Sequence, residues 1–243
     1  MLALIGSSGF VGTNLKKQYN FSHFYNSSNI QDISNYEYET VFCAAPSAIK
    51  WKANKEPAED LQQIYNLVKY FKDIKTKRFI LFSTVDVYNY FPSDEDSVID
   101  ITKTTFYGKN RFLLENFVMK YFNLYNIIRL PGLFGEGLKK NIIFDLLNDN
   151  INYKINANDS YQWFYLKDLS LIINKVIKQN ISIYNVSTES ITNKELVENI
   201  ANKYVNFLVY DNSNIYYDMK TKYGNYLYTK TDIFNKLNEF INL

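Results

Sequence analysis

An α/β fold is expected for this chain, a doubly wound parallel sheet followed by a small C-terminal lobe, and three observations predict it. Short apolar runs alternate along the sequence with stretches whose apolar residues recur at helical spacing. The connections between them are short, as in consecutive parallel strands joined by helical crossovers. Three of only eight glycines, Gly6, Gly9 and Gly12, fall between the first apolar run and the first helical stretch.

Each element follows from its residues. Leu2 to Ile5 is an apolar run that ends in glycine, the pattern of a buried parallel strand. Phe10, Val11 and Leu15 then suggest a helix. Phe21 to Tyr25 reads as extended and leads into polar Asn26 to Asn29, while Thr40 to Ala45 reads as a further buried strand ending at Pro46, with little room between the two for a helix. His23 and Cys43 fall inside these strands. Leu61, Ile64, Tyr65, Val68 and Phe71 form a helical stripe, and Arg78 to Ser83 is strand-like. A helix from about Phe106 to Phe122 precedes a strand at Asn126 to Leu130, after which Pro131, Gly132, Gly135 and Gly137 break regular structure. That break divides the chain into residues 1–130 and 131–243. In the second part, helices are expected near Ile142 to Leu147, Asp168 to Ile177 and Asn193 to Tyr204, and a strand near Trp163 to Leu166, with the segment 163–178 packing back on the first part.

Composition narrows the function. At 243 residues the chain is long enough to bury a core without disulfides or metal. Its net charge of +2 comes from scattered charges with no block of one sign, so no nucleic-acid partner is expected. One cysteine and one histidine cannot assemble a metal site of the usual ligands. No window reaches the roughly 18 apolar residues of a membrane helix, and no stretch reads as a signal peptide, so a cytoplasmic protein is expected.

Gly6, Gly9 and Gly12 make GxxGxxG between strand and helix. There glycines serve a tight turn, backbone approach to a pyrophosphate, and close helix packing, while the helix start faces the negative charge. A Rossmann-type, dinucleotide-binding domain is the expectation. A carboxylate after the second strand would bond the adenosine ribose and repel a 2′-phosphate; this chain has Asn26, Ser27, Ser28 and Asn29 there, and Asp32 is the nearest acid. NADP or NAD remains open, with the balance toward NADP.

Several stretches resemble the extended short-chain dehydrogenase/reductase family of nucleotide-sugar epimerases, dehydratases and reductases. They are the glycine triplet, Ala44-Ala45 after a strand, Ser83-Thr84-Val85-Asp86-Val87-Tyr88, Tyr107-Gly108-Lys109-Asn110-Arg111, Arg129 to Gly135, Trp163 to Leu169, and Tyr184-Asn185-Val186, in the family order. The resemblance implies Tyr107 as acid/base, Thr84 as the hydroxyl that positions a substrate carbonyl, and position 111 as the cation that lowers the phenol's pKa. Tyr65, Tyr216 and Tyr226 are also followed four residues later by lysine, but none of them follows a strand carrying Ser-Thr. The family has lysine where this chain has Arg111. Arginine stabilises a phenolate but, with a pKa above about 12, passes no proton on. Lys109 is no substitute, since residues two apart on a helix face different ways. Asp60 stands where the family often has asparagine, ahead of Asn66; it is either an ion-pair partner of Arg111 or a solvated helix residue.

The resemblance completes the expected site. Cofactor contacts are assigned to Gly6, Ser8, Gly9, Phe10, Val11, Gly12, Asn26, Ser27, Asp32, Ala44, Ala45, Ser83, Tyr107, Arg111 and Pro131. Substrate contacts are assigned to Thr84, Asp86, Lys139 and Asn141. Lys139, Lys140 and Asn141 face either a substrate diphosphate or solvent. Asp86 matches a dehydratase glutamate, yet Val85 replaces its acidic neighbour, which counts against elimination. Tyr161 stands where relatives carry a diphosphate-binding arginine. Trp51 and Trp163 either stack on a ligand or pack, with packing favoured for Trp163. The implied protein is an NAD(P)-dependent oxidoreductase or epimerase of a nucleotide-activated sugar, feeding polysaccharide biosynthesis, with room for a homodimer. The alternatives are a reductase of a small non-sugar carbonyl compound and a non-catalytic dinucleotide-binding regulator.

Overall fold

The computed structural model describes residues 1–212 and 214–242. The first part of the chain contains β1 (Leu2–Ile5), α1 (Phe10–Leu15), β2 (His23–Tyr25), β3 (Glu37–Cys43), α2 (Lys50–Lys55), α3 (Pro57–Val68), β4 (Lys75–Thr84), α4 (Phe106–Tyr121) and β5 (Tyr125–Leu130). After the proline and glycine break come β6 (Gly132–Phe134), α5 (Ile142–Leu147), β7 (Ile155–Asn156), β8 (Ser160–Tyr165), α6 (Leu169–Lys178) and β9 (Ile183–Asn185). The chain then runs through β10 (Ser190–Thr192), α7 (Asn193–Ile200), β11 (Leu208–Val209) and α8 (Lys230–Ile241).

Six strands form one parallel sheet in the order β2-β1-β3-β4-β5-β9. The doubly wound sheet expected from the alternation is therefore present. Side chains alternate across it, as period-2 geometry requires. Ala3, Ile5, Val41, Cys43, Phe79, Leu81 and Ile127 share one core with α3 and α4. Leu4, Phe42, Ile80, Phe82, Ile128 and Leu130 share the other with α1, α6 and the later strands. Because β1 lies between β2 and β3, the chain leaves it on one side and returns on the other, opening a crevice at the carboxyl ends of the strands.

The remaining strands make two small sheets, β10-β8-β6 and β11-β7. The approach of β6 to β8 needs Gly132, where a Cβ would lie 2.8 Å from the Gln162 carbonyl oxygen and from the Trp163 ring. Phe134 and Tyr165 stack at 5.0 Å, and Phe240 of α8 tilts against both.

Several expectations shift. The helix expected from Leu61 begins at Pro57, because proline is accommodated in the first turn and the apolar stripe marks only the packed face. Helix α2 has a single buried residue, Ala53, so its sequence carries no stripe to detect. The helix expected to run to Tyr204 stops at Ile200, where Ala201 leaves helical geometry, and continues as a 3-10 turn over Asn202–Phe207. Helix α8 was not anticipated, although its capping box of Thr229 and Asp232 is readable in the sequence. Strand β9 comes from the second part of the chain yet completes the edge of the first part's sheet.

Candidate active site

The carboxyl ends of β1, β3, β4 and β5 open onto one cavity of about 1310 Å³. Gly6, Ser8, Gly9, Phe10 and Val11 line it after β1, and Asn26 and Ser27 after β2. Ala44 and Ala45 follow β3, Thr84 and Asp86 follow β4, Tyr107 comes from α4 and Pro131 from the end of β5. Lys139 and Asn141 also line it.

The three glycines of the loop divide by role. Gly6 has φ +82°, and a Cβ there would lie 2.7 Å from the Ala44 backbone. At Gly12 a Cβ would lie 2.2 Å from the Gly6 carbonyl oxygen. Both are required by the fold. At Gly9 the nearest atom to a Cβ is the Gly6 oxygen at 3.4 Å, an ordinary contact, so the space that glycine leaves there belongs to the cavity.

Four expected residues do not line the cavity: Gly12, Asp32, Ser83 and Arg111. Gly12 packs beneath the loop. Asp32 sits exposed in a 3-10 turn whose Ile30, not Asp32, lines the cavity. The buried Ser83 hydroxyl donates to Glu115 Oε1 at 2.5 Å, and Glu115 is held by Arg129 at 2.6 Å, so Ser83 belongs to an internal polar network. The guanidinium of Arg111 is buried and forked onto Asp60, with Nη2 to Oδ1 at 2.8 Å and Nη1 to Oδ2 at 3.0 Å, while Nη2 also donates to the Ser47 carbonyl. The Asp60 to Arg111 ion pair is thus present, and Asn110 adds a hydrogen bond to Asp60 at 2.9 Å.

Tyr107 reaches Thr84 because α4 presses on the turn after β4. Gly108 permits this: a Cβ there would lie 1.8 Å from the Asp86 carbonyl oxygen. Thr105 caps the helix on the Gly108 amide, and the Tyr107 amide donates to Asn54 Oδ1 at 2.9 Å. The Arg111 guanidinium stacks 4.6 Å from the Tyr107 ring centre. The expected outcome was a lowered phenol pKa. Instead burial pushes Tyr107 up, and the counteracting Arg111 charge and Thr84 hydrogen bond do not overcome it.

Two polar side chains that sequence reasoning missed stand beside this pair. Lys50, opening α2, donates to Asp86 Oδ1 at 2.7 Å and to the Tyr217 hydroxyl at 2.8 Å. Tyr217 donates to the same Asp86 oxygen at 2.5 Å. Lys50 lies just past the carboxyl end of β3, a position where function gathers in such sheets, and that was its one signal. Tyr217 lies 131 residues from Asp86, and no local pattern marks it. Tyr161 stacks on Tyr217 at 5.6 Å, and burial raises its phenol to about 12.

The cavity wall carries five lysines, Lys17, Lys50, Lys69, Lys139 and Lys140, against two carboxylates, Asp86 and Glu136. Lys17 pairs with Glu136 and Lys50 with Asp86. Partial burial lowers Lys140. Asn141, whose substrate role was expected, has both ends of its amide engaged: Oδ1 accepts from the Phe144 amide at 3.0 Å and Nδ2 donates to the Leu133 carbonyl at 2.9 Å. These bonds hold its backbone at φ 133°. Trp51 is exposed and away from the cavity.

A second compartment of about 330 Å³ shares Asn141, Tyr161 and Trp163 with the first and is also lined by Tyr153, Lys154 and Asn193. Two of its lining side chains hold buried polar atoms without a hydrogen-bond partner among the described residues, Trp163 Nε1 and Asn193 Oδ1. Among the described residues no cluster of metal ligands occurs, and no helix is long and apolar enough to cross a membrane.

Compared with protein-family models and with curated proteins, the sequence matches none. Solved structures give a different result. MoeE5 in complex with UDP-glucose and NAD superposes with a TM-score of 0.78 over 99% of this chain and 97% of that one, at 14% identity. The UDP-glucose 4-epimerase of Thermotoga maritima, with UDP-glucose, gives 0.71 over 99% and 97% at 16% identity. The dTDP-4-dehydrorhamnose reductase of Bacillus anthracis in complex with NADP gives 0.71 over 99% and 98% at 18% identity. This chain has their fold. Arg111, the departure from the expected motif, and the Lys50 cluster therefore sit on a shared scaffold.

Proposed function

We propose that this chain is an NAD(P)-dependent oxidoreductase or epimerase acting on a nucleotide-activated sugar. One observation carries the reading: a single cavity joins the glycine loop to the Thr84 and Tyr107 pair and meets a second compartment whose wall offers an unpaired donor and an unpaired acceptor. A buried polar atom without a partner costs about 1–3 kcal/mol, which a complementary ligand would recover. A pyrimidine base presents the carbonyl and N–H groups that the Trp163 N–H and the Asn193 oxygen call for. Lys139 and Lys140 line the larger cavity next in sequence to Asn141, which both compartments share, and they supply the positive charge a diphosphate needs. Of the three structural neighbours, one is in complex with UDP-glucose and NAD, one with UDP-glucose and one with NADP.

The glycine loop fits a dinucleotide. Gly9 leaves the opening that a pyrophosphate needs, and the first amides of α1 have no partners within their own helix. A bound nicotinamide would give or take a hydride beside Thr84. No carboxylate lines the cavity near Asn26 and Ser27, which favours NADP, although the Ser28 hydroxyl already donates to Asn26 Oδ1 at 2.6 Å. With its pKa raised, Tyr107 rests protonated and is ready to give its proton to a substrate oxygen that Thr84 positions. Asp86 Oδ1 accepts from both Lys50 and Tyr217, so it is poorly placed to take a proton from carbon, and elimination is disfavoured.

The test is calorimetric titration with NADP, NAD and UDP-glucose. Wild type should bind a dinucleotide and the sugar nucleotide together, with NADP the tighter of the two dinucleotides. Gly9→Val should keep its circular dichroism and its UDP-glucose binding while losing the dinucleotide. An unchanged dinucleotide affinity in that variant would remove the loop from the reading, and no dinucleotide binding in wild type would end it.

A further inference from the structure

We propose that Lys50 is the proton carrier of this site, reloading Tyr107 through Asp86 and Thr84, a role the buried Arg111 cannot fill. The proposal rests on the functional reading above. A proton donor must be recharged after each transfer, and a guanidinium does not release protons in the working range. Arg111 is also out of reach of solvent, held by Asp60 and the Ser47 carbonyl, and it does not line the cavity.

A different route is present. The Tyr107 phenol faces the Thr84 hydroxyl, whose interaction favours the phenolate. The Thr84 hydroxyl meets Asp86 Oδ2 at 3.3 Å, and Asp86 Oδ1 meets the Lys50 ammonium at 2.7 Å. Exposure rises along this line: the Tyr107 residue is 6% exposed, the Asp86 side chain 15% and the Lys50 side chain 44%. The chain of contacts therefore runs from a buried phenol to solvent. Tyr217 secures its outer end by donating to Asp86 and accepting from Lys50. Burial and the Asp86 charge hold the Tyr217 phenol well above its ordinary range, so it anchors the cluster without losing its own proton.

The step balances in protons. When a bound reduced dinucleotide supplied hydride to the substrate carbon and became oxidised, Tyr107 would give its proton to the substrate oxygen, which leaves a phenolate. Thr84 passes its hydroxyl proton to that phenolate and takes one from the Asp86 carboxyl. The carboxyl, turning about its Cβ–Cγ bond, has taken that proton from Lys50. Lys50 ends as an amine and regains its proton from water. The charged groups facing Tyr107 are Arg111 on its own helix, Asp86 from the turn after β4 and Lys50 from α2. Only Lys50 among them both bears an exchangeable proton as a cation and reaches solvent.

Three variants test this: Lys50→Gln, Lys50→Arg and Lys50→Ala, each checked for folding by circular dichroism. Without cofactor, the Tyr107 phenol is titrated by NMR of ¹³Cζ-labelled tyrosine, its signal assigned by its loss in Tyr107→Phe. Lys50→Gln should move that titration to higher pH, and Lys50→Arg should leave it in place, because arginine keeps the charge. With NADPH and a substrate that wild type turns over, Lys50→Arg should still slow roughly tenfold or more. Lys50→Ala should recover with methylammonium and not with guanidinium. An unmoved titration in Lys50→Gln, or full turnover in Lys50→Arg, overturns the proposal. A wild type that binds no dinucleotide instead fails the functional reading, and the titration still rules on Lys50.

Discussion

The two halves of the cavity are built in opposite ways. On the sheet side, the site is a set of strand ends: Gly6 to Val11 after β1, Ala44 and Ala45 after β3, Thr84 to Asp86 after β4. Each contributes neighbours in sequence, and their convergence follows from parallel pairing alone. On the lobe side, Asn141, Tyr161 and Trp163 of β8, Asn193 and Tyr217 come from four separate segments, and only tertiary packing brings them together. A backbone-built site tolerates change at most side chains but not at its glycines. A side-chain-built site reverses that rule, because each residue carries a contact that its neighbours do not repeat.

Three variants sharpen this contrast, from the largest expected effect down. Asp60→Asn leaves the buried Arg111 charge without its counterion, and removing one partner of such a pair costs about 3–5 kcal/mol. Urea denaturation should show that loss, and a change below about 1 kcal/mol would mean that solvent reaches Arg111 and that the pair does not bind α3 to α4. Tyr107→Phe keeps the stacking on Arg111 and removes the hydroxyl. Turnover on an identified substrate should fall at least about 100-fold while dinucleotide affinity is held, and equal activity would sink the assignment of Tyr107 as acid/base. On the lobe side, Asn193→Ala should weaken UDP-glucose roughly tenfold, the loss of one buried hydrogen bond, and leave dinucleotide binding alone. If both affinities fall together, the two halves are coupled and the contrast drawn above is wrong.

The burial of Tyr107 shows how a motif can mislead about energetics. Tyr107 followed by Arg111 at helical spacing predicted a cation that activates the phenol, and the cation does stack on the ring. The sign of the net shift still goes the other way, because desolvation depends on everything packed around the hydroxyl. The Asp86 carboxylate adds to the rise, while the Arg111 and Lys50 charges act against it.

Sequence alone determined the parallel sheet and the glycine loop, because each is encoded by residues close together and by a periodicity that the backbone imposes, whereas the roles of Thr84 and Tyr107 were implied by the family resemblance. It also nominated the Asp60 to Arg111 pair, since one departure from a motif called for another. Only the tertiary structure decided that Ser83 serves Glu115, that Asp32 stays outside the cavity lining, that β9 returns to the first sheet, and that Lys50 and Tyr217 converge on Asp86. The physical reason is range. Periodicity and turn chemistry act over a few residues and leave a trace in local sequence, whereas a contact such as Tyr217 to Asp86 is fixed by how a distant loop packs, and its two ends need share no pattern at all.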